Sequence, residues 1–374
     1  MSDYSSNSHK RPSFADIKAE LLRRLPALVR ELAPGGKIQS GYYKPKNPVR
    51  ADNKAGSFWV HMSGKMAGAW SDAASGDKGD VIGLVVYCKG LADNKAAYRW
   101  CLSWLGWDNG VDRKVLETAR KQSQATAKRM DRQEQEARRK NAGRAQAMFF
   151  NALPSLNTPV EVYLKSRGID LLRLADEKRF PNAVKFLADQ KHIDDEGKET
   201  VWPCMAAALC NAYGVVISVH RTWLNRDGNG KAPVTPSKKM WPTYKGAVIR
   251  LSKGKGKRSP EAAGREGKSA PVVICEGIED GLAIAQALPD LRVWAAGTLG
   301  NMANVPNLKC ISKFIIAADN DVVGSPAALQ MEKVVHALRQ YKKPVSVVRS
   351  LAGKDFNDQL MVDGSKKENE DDNI

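Results

Sequence analysis

Residues 271–280 read PVVICEGIED, and their pattern indicates the architecture of the C-terminal part of the chain. Residues 271–275 form a continuous apolar run, which is typical of a parallel strand covered on both faces. The run ends in Glu276-Gly277, and residues 279–288 then have the pattern of a helix. A strand that passes through an acid and a glycine into a helix predicts a β-α-β alternation.

The alternation continues to the end of the chain. Further strands are predicted at residues 292–296, 313–318 and 344–348, with a helix over residues 325–340. We therefore expect an α/β fold with a small parallel sheet flanked by helices. Ligands of such sheets bind beyond the carboxyl ends of the strands, which is where Glu276, Asp319 and Asp321 lie. Acids clustered in that way predict a metal-dependent phosphoryl-transfer site.

The order of these acids resembles the Toprim domain of bacterial DNA primases, topoisomerases and related nucleases. The resemblance rests on Glu276-Gly277 after the first strand and Asp319-Asn320-Asp321 after a later one. It implies that Asp319 and Asp321 bind Mg²⁺ or Mn²⁺. It also implies that Glu276 is either the acid/base or a further metal ligand.

The same resemblance extends the metal site to Asp280 and Asp355. The family's Asp-Pro-Asp turn reads Asp355-Phe356-Asn357 here. Asn357 is a weaker, neutral ligand, and Asp358 is the candidate to replace it. Each feature alone also has an ordinary explanation, because Asp280 suits the first turn of a helix and Asp319 to Asp321 suit an Asx turn. Their joint occurrence with Glu276 favours the metal site.

The charge distribution predicts a nucleic-acid partner. The 374 residues carry a formal net charge of +18. Residues 271–374 hold 11 Lys and Arg against 14 Asp and Glu, whereas residues 1–270 hold 48 against 27, a net of +21. A basic segment such as residues 1–270, next to an acidic metal site, suits an enzyme that binds a phosphate backbone.

The middle of the chain resembles the basic subdomain that precedes Toprim in primases. The resemblance rests on residues 163–168 (YLKSRG) and on a basic, strand-rich stretch over residues 214–251. It implies that Arg221 and Lys231, with less weight Arg167 and Lys239, hold template or nucleotide phosphates. Alternatively, Arg167 is a cation at a helix C-terminus, and Lys239 only keeps a loop soluble.

Residues 57–90 resemble the zinc-ribbon domain that precedes primase cores. Two short alternating strands are followed by Gly79-Asp80-Val81-Ile82 and an apolar helix. The family's Cys and His positions read Trp70-Ser71-Asp72, and a lone His61 is more often structural than a ligand. We therefore expect a small zinc-ribbon-like domain without zinc.

These features predict five segments. They are a zinc-ribbon-like domain without zinc (1–110), a charged helical linker (111–150), a mixed α+β basic primase-core subdomain (151–270), a Toprim catalytic domain (271–364) and an acidic disordered tail (365–374). Six cysteines without a Cys-X-X-Cys pair, and no apolar stretch long enough to cross a membrane, favour a cytoplasmic protein with reduced thiols and no membrane partner.

The resemblance implies a DNA primase-like enzyme of a phage, plasmid or other mobile element, acting in DNA replication. It would make RNA primers on single-stranded DNA from ribonucleoside triphosphates. No complete phosphate-binding loop is present in the sequence, so a separate replicative helicase is expected. Two alternatives stay open, a Toprim-type metal-dependent nuclease and a catalytically decayed single-strand DNA-binding accessory protein.

Overall fold

The structure is a computed structural model that describes residues 11–371 except 40, 53–54, 112, 177–181, 195 and 243. The chain divides into two compact units with a boundary between Ala137 and Arg138, here called the N-terminal and the C-terminal unit. None of the described helices has both the length and the apolar character needed to span a membrane.

The N-terminal unit packs helices against a small antiparallel sheet. Its elements are α1 (Phe14–Arg23), α2 (Leu25–Leu32), β1 (Lys37–Gln39), β2 (Tyr42–Lys44), β3 (Phe58–His61), β4 (Trp70–Asp72), β5 (Lys78–Gly79), α3 (Val81–Lys89) and α4 (Asn94–Leu105). The five strands pair in chain order. Phe58, Trp70 and Tyr87 form an aromatic cluster within its core. Trp70 therefore contributes to packing.

The predicted linker helix is confirmed as α5 (Arg113–Phe150). It is a 38-residue helix that contains the boundary between the two units. At its C-terminal end, Ala145 and Phe149 are buried in the C-terminal unit.

The C-terminal unit contains one large sheet. Its elements are β6 (Leu153–Pro154), α6 (Pro159–Lys165), α7 (Leu171–Asp176), β7 (Val184–Ile193), β8 (Glu199–Cys210), β9 (Val216–Trp223), β10 (Lys238–Trp241), β11 (Val248–Lys253), α8 (Pro260–Arg265), β12 (Ala270–Cys275), α9 (Ile278–Ala287), β13 (Arg292–Ala295), α10 (Leu299–Met302), β14 (Ile311–Ala318), α11 (Pro326–Arg339), β15 (Val345–Arg349) and α12 (Phe356–Asp371).

The sheet joins a parallel half to an antiparallel half. Strands run in the order β10-β9-β8-β11-β13-β12-β14-β15, with β7 and β6 attached through β8. The pairs among β13, β12, β14 and β15 are parallel, and β11 joins β13 in an antiparallel manner. The predicted parallel sheet is confirmed, and it continues into the strands of the preceding basic segment without a break at residue 270.

The predicted elements of the C-terminal part agree with the structure to within two residues at every boundary. They agree because the central strands β12 and β13 are apolar runs with buried side chains on both faces, a pattern that sequence shows directly. The edge strand β15 is half-buried to exposed. The tail differs, since α12 continues to Asp371 and so includes most of the segment 365–374 for which disorder is expected. Residues 372–374 of that segment lie outside the described residues.

Candidate active site

Five carboxylates come together beyond the carboxyl ends of the parallel strands, and we call them the acidic cluster: Glu276, Asp280, Asp319, Asp321 and Asp355. Burial and the negative charges of Asp355, Glu276 and Asp321 raise the pKa of Asp319 to about 6. Burial and the charges of Asp355, Asp319 and Glu279 raise the pKa of Asp280 to about 7. These side chains therefore repel one another across three separate loops.

The middle residue of the Asp-X-Asp turn fixes two of these loops together. The Asn320 backbone N–H donates to the Lys354 carbonyl at 2.8 Å, and its side-chain amide donates to Ser350 Oγ at 2.8 Å and to the Gly353 carbonyl at 3.0 Å. The turn after β14 is thereby tied to the loop after β15. Asn320 thus holds Asp319 and Asp321 beside Asp355.

Gly277 allows the Asp280 carboxylate to fold back over the start of α9. A Cβ atom at Gly277 would lie 2.5 Å from Asp280 Oδ2. The backbone of Gly277 is in the extended region with φ −83°, so it is this close approach that calls for glycine here. Asp280 Oδ1 then accepts a hydrogen bond from the Asn357 backbone N–H at 3.2 Å, which links the first turn of α9 to that of α12.

The residues of the 355–358 turn have capping roles. Asp355 Oδ1 accepts from the Asp358 backbone N–H at 2.8 Å, and Asp358 Oδ2 accepts from the Lys354 N–H at 2.9 Å. The buried Asn357 amide donates to the Arg167 carbonyl at 2.7 Å. Asp355 is brought to the acidic cluster, whereas Asp358 and Asn357 hold the turn together.

Two of the basic residues predicted from sequence, Arg221 in β9 and Lys239 in β10, lie on one face of these strands. His220, in β9, lies against Gly297 beyond β13, with His220 Cδ2 3.7 Å from the Cβ position of that glycine. Side chains alternate along a strand, and Arg221 lies on the other face, stacked on Trp223 with 5.0 Å between guanidinium and ring centre. Lys239 pairs in register with Arg221, and its Nζ donates to the Ile193 carbonyl. Arg221 and Lys239 are therefore not brought to the acidic cluster.

Lys231 lies beside Glu279, an acid that sequence reasoning missed. Its Nζ lies 3.8 Å from Glu279 Oε1, and the same oxygen accepts a hydrogen bond from the Tyr163 hydroxyl at 2.7 Å. Burial raises the pKa of Glu279, but Lys231 and Tyr163 outweigh it, so the net pKa is below its ordinary value. The signal was in the sequence, because Glu279 is a third acid within the stretch 276–280.

His220 and Lys238 complete this side of the site. Burial and the nearby Lys238 and Lys231 cations lower the pKa of His220 to about 4, although Glu279 opposes them. Lys238 pairs in register with Thr222, two residues from His220 on the same face. Glu279 therefore has Lys231 and a neutral imidazole near it, and Lys238 lies close to that imidazole.

An open groove between α11 and β15 adds two arginines to the acidic end of the site. Asp321, His336, Arg339 and Arg349 are among its lining residues. The Arg349 guanidinium also donates to the Asp319 carbonyl. Sequence reasoning missed Arg339 and Arg349 because they line this groove only when α11 packs beside β15.

The oxygen atoms of the acidic cluster are suitable ligands for a hard divalent cation. The acidic cluster supplies only carboxylate oxygens, the ligands that Mg²⁺ and Mn²⁺ prefer, and burial together with the neighbouring carboxylates raises the pKa values of Asp280 and Asp319. In the part of the chain that the structure describes, no three His, Cys, Asp or Glu side chains are arranged as a ready metal centre. The carboxylates thus converge without forming a finished coordination sphere.

Two segments of the chain match family models. Residues 271–366 match the Toprim domain, and residues 139–251 match a domain of unknown function, DUF7146. The C-terminal segment is therefore a Toprim domain, as its resemblance to that family implied. No curated protein matches the chain.

Several solved primase structures are similar to this chain. The zinc-binding and RNA polymerase domains of the Aquifex aeolicus primase are 16% identical, with a TM-score of 0.39, covering 94% of this chain and 84% of that one. A DnaG primase catalytic domain bound to single-stranded DNA is 14% identical, with a TM-score of 0.42 and coverages of 62% and 78%. The primase fragment of the bacteriophage T7 primase-helicase protein is 16% identical, with a TM-score of 0.33 and coverages of 59% and 79%.

Proposed function

We propose, from the Toprim domain at residues 271–366, that this protein is a primase-type nucleotidyltransferase that makes RNA primers on single-stranded DNA. The observation that carries the proposal is the convergence of five carboxylates in the acidic cluster, where burial and the neighbouring carboxylates raise the pKa values of Asp319 and Asp280. Such a site binds divalent cations and, through them, a triphosphate. The net charge of +21 over residues 1–270 supports a nucleic-acid partner.

Each side of the site has a separate task in this reaction. Lys231, held by Glu279, and Lys238 would bind the phosphates of the incoming ribonucleotide. Arg339 and Arg349, in the groove at Asp321, would hold the departing pyrophosphate. Arg221 and Lys239, on the opposite face of β9 and β10, would contact the template backbone, and Arg167 would support the loop at Asn357 through its carbonyl.

The reaction joins the primer 3′-hydroxyl to the nucleotide α-phosphate with release of pyrophosphate. Glu276 would take the proton of that hydroxyl or contribute to the cation site, since it lies directly beyond β12 beside Asp319. Mg²⁺ or Mn²⁺ held by Asp319 and Asp321, with Asp280 and Asp355 next to them, would neutralise the triphosphate and the charge that develops on it.

The test is incubation of the full chain with single-stranded DNA, labelled ribonucleotides and Mg²⁺ or Mn²⁺, beside the D319A variant. New short oligonucleotides made by the wild type and lost in D319A would establish primer synthesis. The matched control is Asp363→Asn, an exposed acid of α12 outside the acidic cluster, which should retain full synthesis.

Two other outcomes would overturn the proposal. Shortened DNA without labelled product would indicate a Toprim-type nuclease that uses the same acids with water as nucleophile. DNA binding that is unchanged in a D319A/D321A double variant, with neither reaction detected, would indicate an accessory single-strand binding protein.

A further inference from the structure

A second group of polar residues, in the N-terminal unit, surrounds one buried carboxylate. Asp72 is completely buried at the end of β4. Its oxygens accept hydrogen bonds from Asn47 Nδ2 at 2.8 Å, from Arg50 Nε at 3.0 Å and Nη2 at 3.1 Å, and from Ser75 Oγ at 3.2 Å. We call Asn47, Arg50, Asp72 and Ser75 the Asp72 quartet.

The spacing of the quartet is that of a structural zinc site. Asn47 and Arg50 are separated by two residues in the loop before β3, and Asp72 and Ser75 by two residues in the turn after β4. The register of β3 and β4 pairs Phe58 with Asp72, so both loops lie at one end of the sheet. Structural zinc sites take four ligands from two such pairs, commonly with a C-x₂-C spacing.

We propose that the Asp72 quartet occupies the place of a four-ligand metal centre and performs its structural role without metal. Of the quartet, only Asp72 was among the residues that the sequence analysis aligned with the family's zinc ligands. The other three come close to Asp72 through the pairing of β3 with β4, which the sequence alone does not show. A tetrahedral zinc ion with bonds of 2.0–2.3 Å holds its ligand atoms about 3.5 Å apart. The donor atoms of Asn47 and Ser75 lie 2.8 and 3.2 Å from the Asp72 oxygens, which is close to that separation between ligand atoms.

The surroundings of the quartet satisfy its remaining polar atoms. Asn47 Nδ2 also donates to the Tyr87 hydroxyl at 2.8 Å, next to the aromatic cluster. Arg50 donates to Ser57 Oγ at 2.8 Å and pairs with Asp52 at 2.5 Å. A buried charge with complete hydrogen bonding can connect two loops as a metal does, so the quartet accounts for a unit that folds without zinc.

Converting the quartet back into metal ligands tests the proposal. In the full chain, the variant Asn47→Cys, Arg50→His, Asp72→Cys and Ser75→Cys should bind one Zn²⁺ per chain. With Co²⁺ as the probe it should show the intense absorption of a tetrahedral thiolate site. The matched control N47C/R50H/D72A/S75C keeps three ligands and should bind at least about 100-fold more weakly.

The wild type provides the opposite test. Its thermal unfolding should be unchanged by a zinc chelator, and it should give no tetrahedral Co²⁺ spectrum. A wild type that loses its fold with the chelator, or a four-ligand variant that folds without binding Co²⁺ tetrahedrally, would overturn the proposal.

A second measurement decides the matter if the four-ligand variant does not fold even with zinc. In a double-mutant cycle, Arg50→Met and Asp72→Asn should be strongly non-additive in their effect on unfolding, because each substitution leaves the other residue without its partner. Additive effects would show that the two residues are not one centre, and the proposal would fail.

Discussion

Asp72 in the N-terminal unit and Asp319 in the C-terminal unit both lie where a β-strand ends, yet their environments shift the pKa in opposite directions. The Arg50 guanidinium and nearby hydrogen-bond donors lower the pKa of Asp72 to about 2. Burial and neighbouring carboxylates raise that of Asp319 to about 6. The first carboxylate is compensated inside the protein by Arg50 and hydrogen-bond donors, whereas the second lies among other carboxylates, as the proposed cation site requires.

This difference separates a structural acid from a functional one. A compensated carboxylate stabilises the folded state, whereas an uncompensated cluster costs stability that only a ligand restores. Four predictions test the contrast, in order of decreasing effect.

Replacing Asp319 by Asn should reduce primer synthesis about 100- to 1,000-fold, the range seen when one group that stabilises transition-state charge is lost. Because the substitution relieves repulsion with Asp355 and Glu276, the free energy of unfolding without metal should not fall. Synthesis assays and thermal unfolding in a chelator measure both quantities. A variant that loses activity because it unfolds would contradict the assignment of Asp319 as a functional acid.

Replacing Asp72 by Ala should have the opposite profile. It removes the buried carboxylate that accepts hydrogen bonds from the Asn47 amide and the Arg50 guanidinium, so the N-terminal unit should lose about 2–4 kcal/mol of stability. Hydrogen exchange resolved by residue would locate the loss in this unit. Asp77→Asn, an exposed acid of the same turn, is the control and should change stability by less than about 0.5 kcal/mol.

Replacing Glu279 by Gln should affect nucleotide binding more than the chemical step. The ion pair with Lys231 is lost, while Gln still accepts from the Tyr163 hydroxyl. We expect KM for the nucleotide to rise about tenfold, equivalent to about 1.4 kcal/mol, with a smaller change in kcat. Tyr163→Phe keeps the ion pair and serves as the comparison. If both variants show the same rise in KM and an equal fall in kcat, Glu279 has a purely structural role.

The two regions should also respond to pH in opposite senses. A carboxyl whose folded pKa is raised destabilises the fold once it ionises, so lowering the pH from 7 to about 5 should stabilise the C-terminal unit through Asp280 and Asp319. Asp72 has a lowered pKa, so its contribution is complete above about pH 4 and is lost as the pH falls towards 2.

Hydrogen exchange across this pH range, without divalent metal, gives both trends in one experiment. Mg²⁺ should abolish the first trend at neutral pH, because a bound cation compensates the acidic cluster, and should leave the second unchanged. The same direction for both units would contradict the contrast between Asp72 and Asp319.

The four strands of the Toprim segment and its helices α9 and α11 were predictable from the sequence, since buried parallel strands are continuous apolar runs that end at turn residues, whereas α10 and α12 were not predicted. The same rule placed Glu276, Asp319 and Asp321 at the ends of strands, and strand ends meet at one edge of a parallel sheet. The long helix α5 was equally visible, because its residues are charged good helix formers uninterrupted by glycine up to Gly143.

Only the tertiary structure decided which side chains meet across long separations. Glu279 contacts Tyr163 and Lys231, and Asn357 contacts the carbonyl of Arg167, 190 residues away. Arg221 and His220 are neighbours in sequence, yet the pleat of β9 places them on opposite faces. The sequence position of Arg221 therefore did not show which face of the sheet its side chain occupies. The Asp72 quartet also forms only in the tertiary structure, because the pairing of β3 with β4 brings its two loops together. The four residues have the spacing of zinc ligands, but none of them is a cysteine or a histidine.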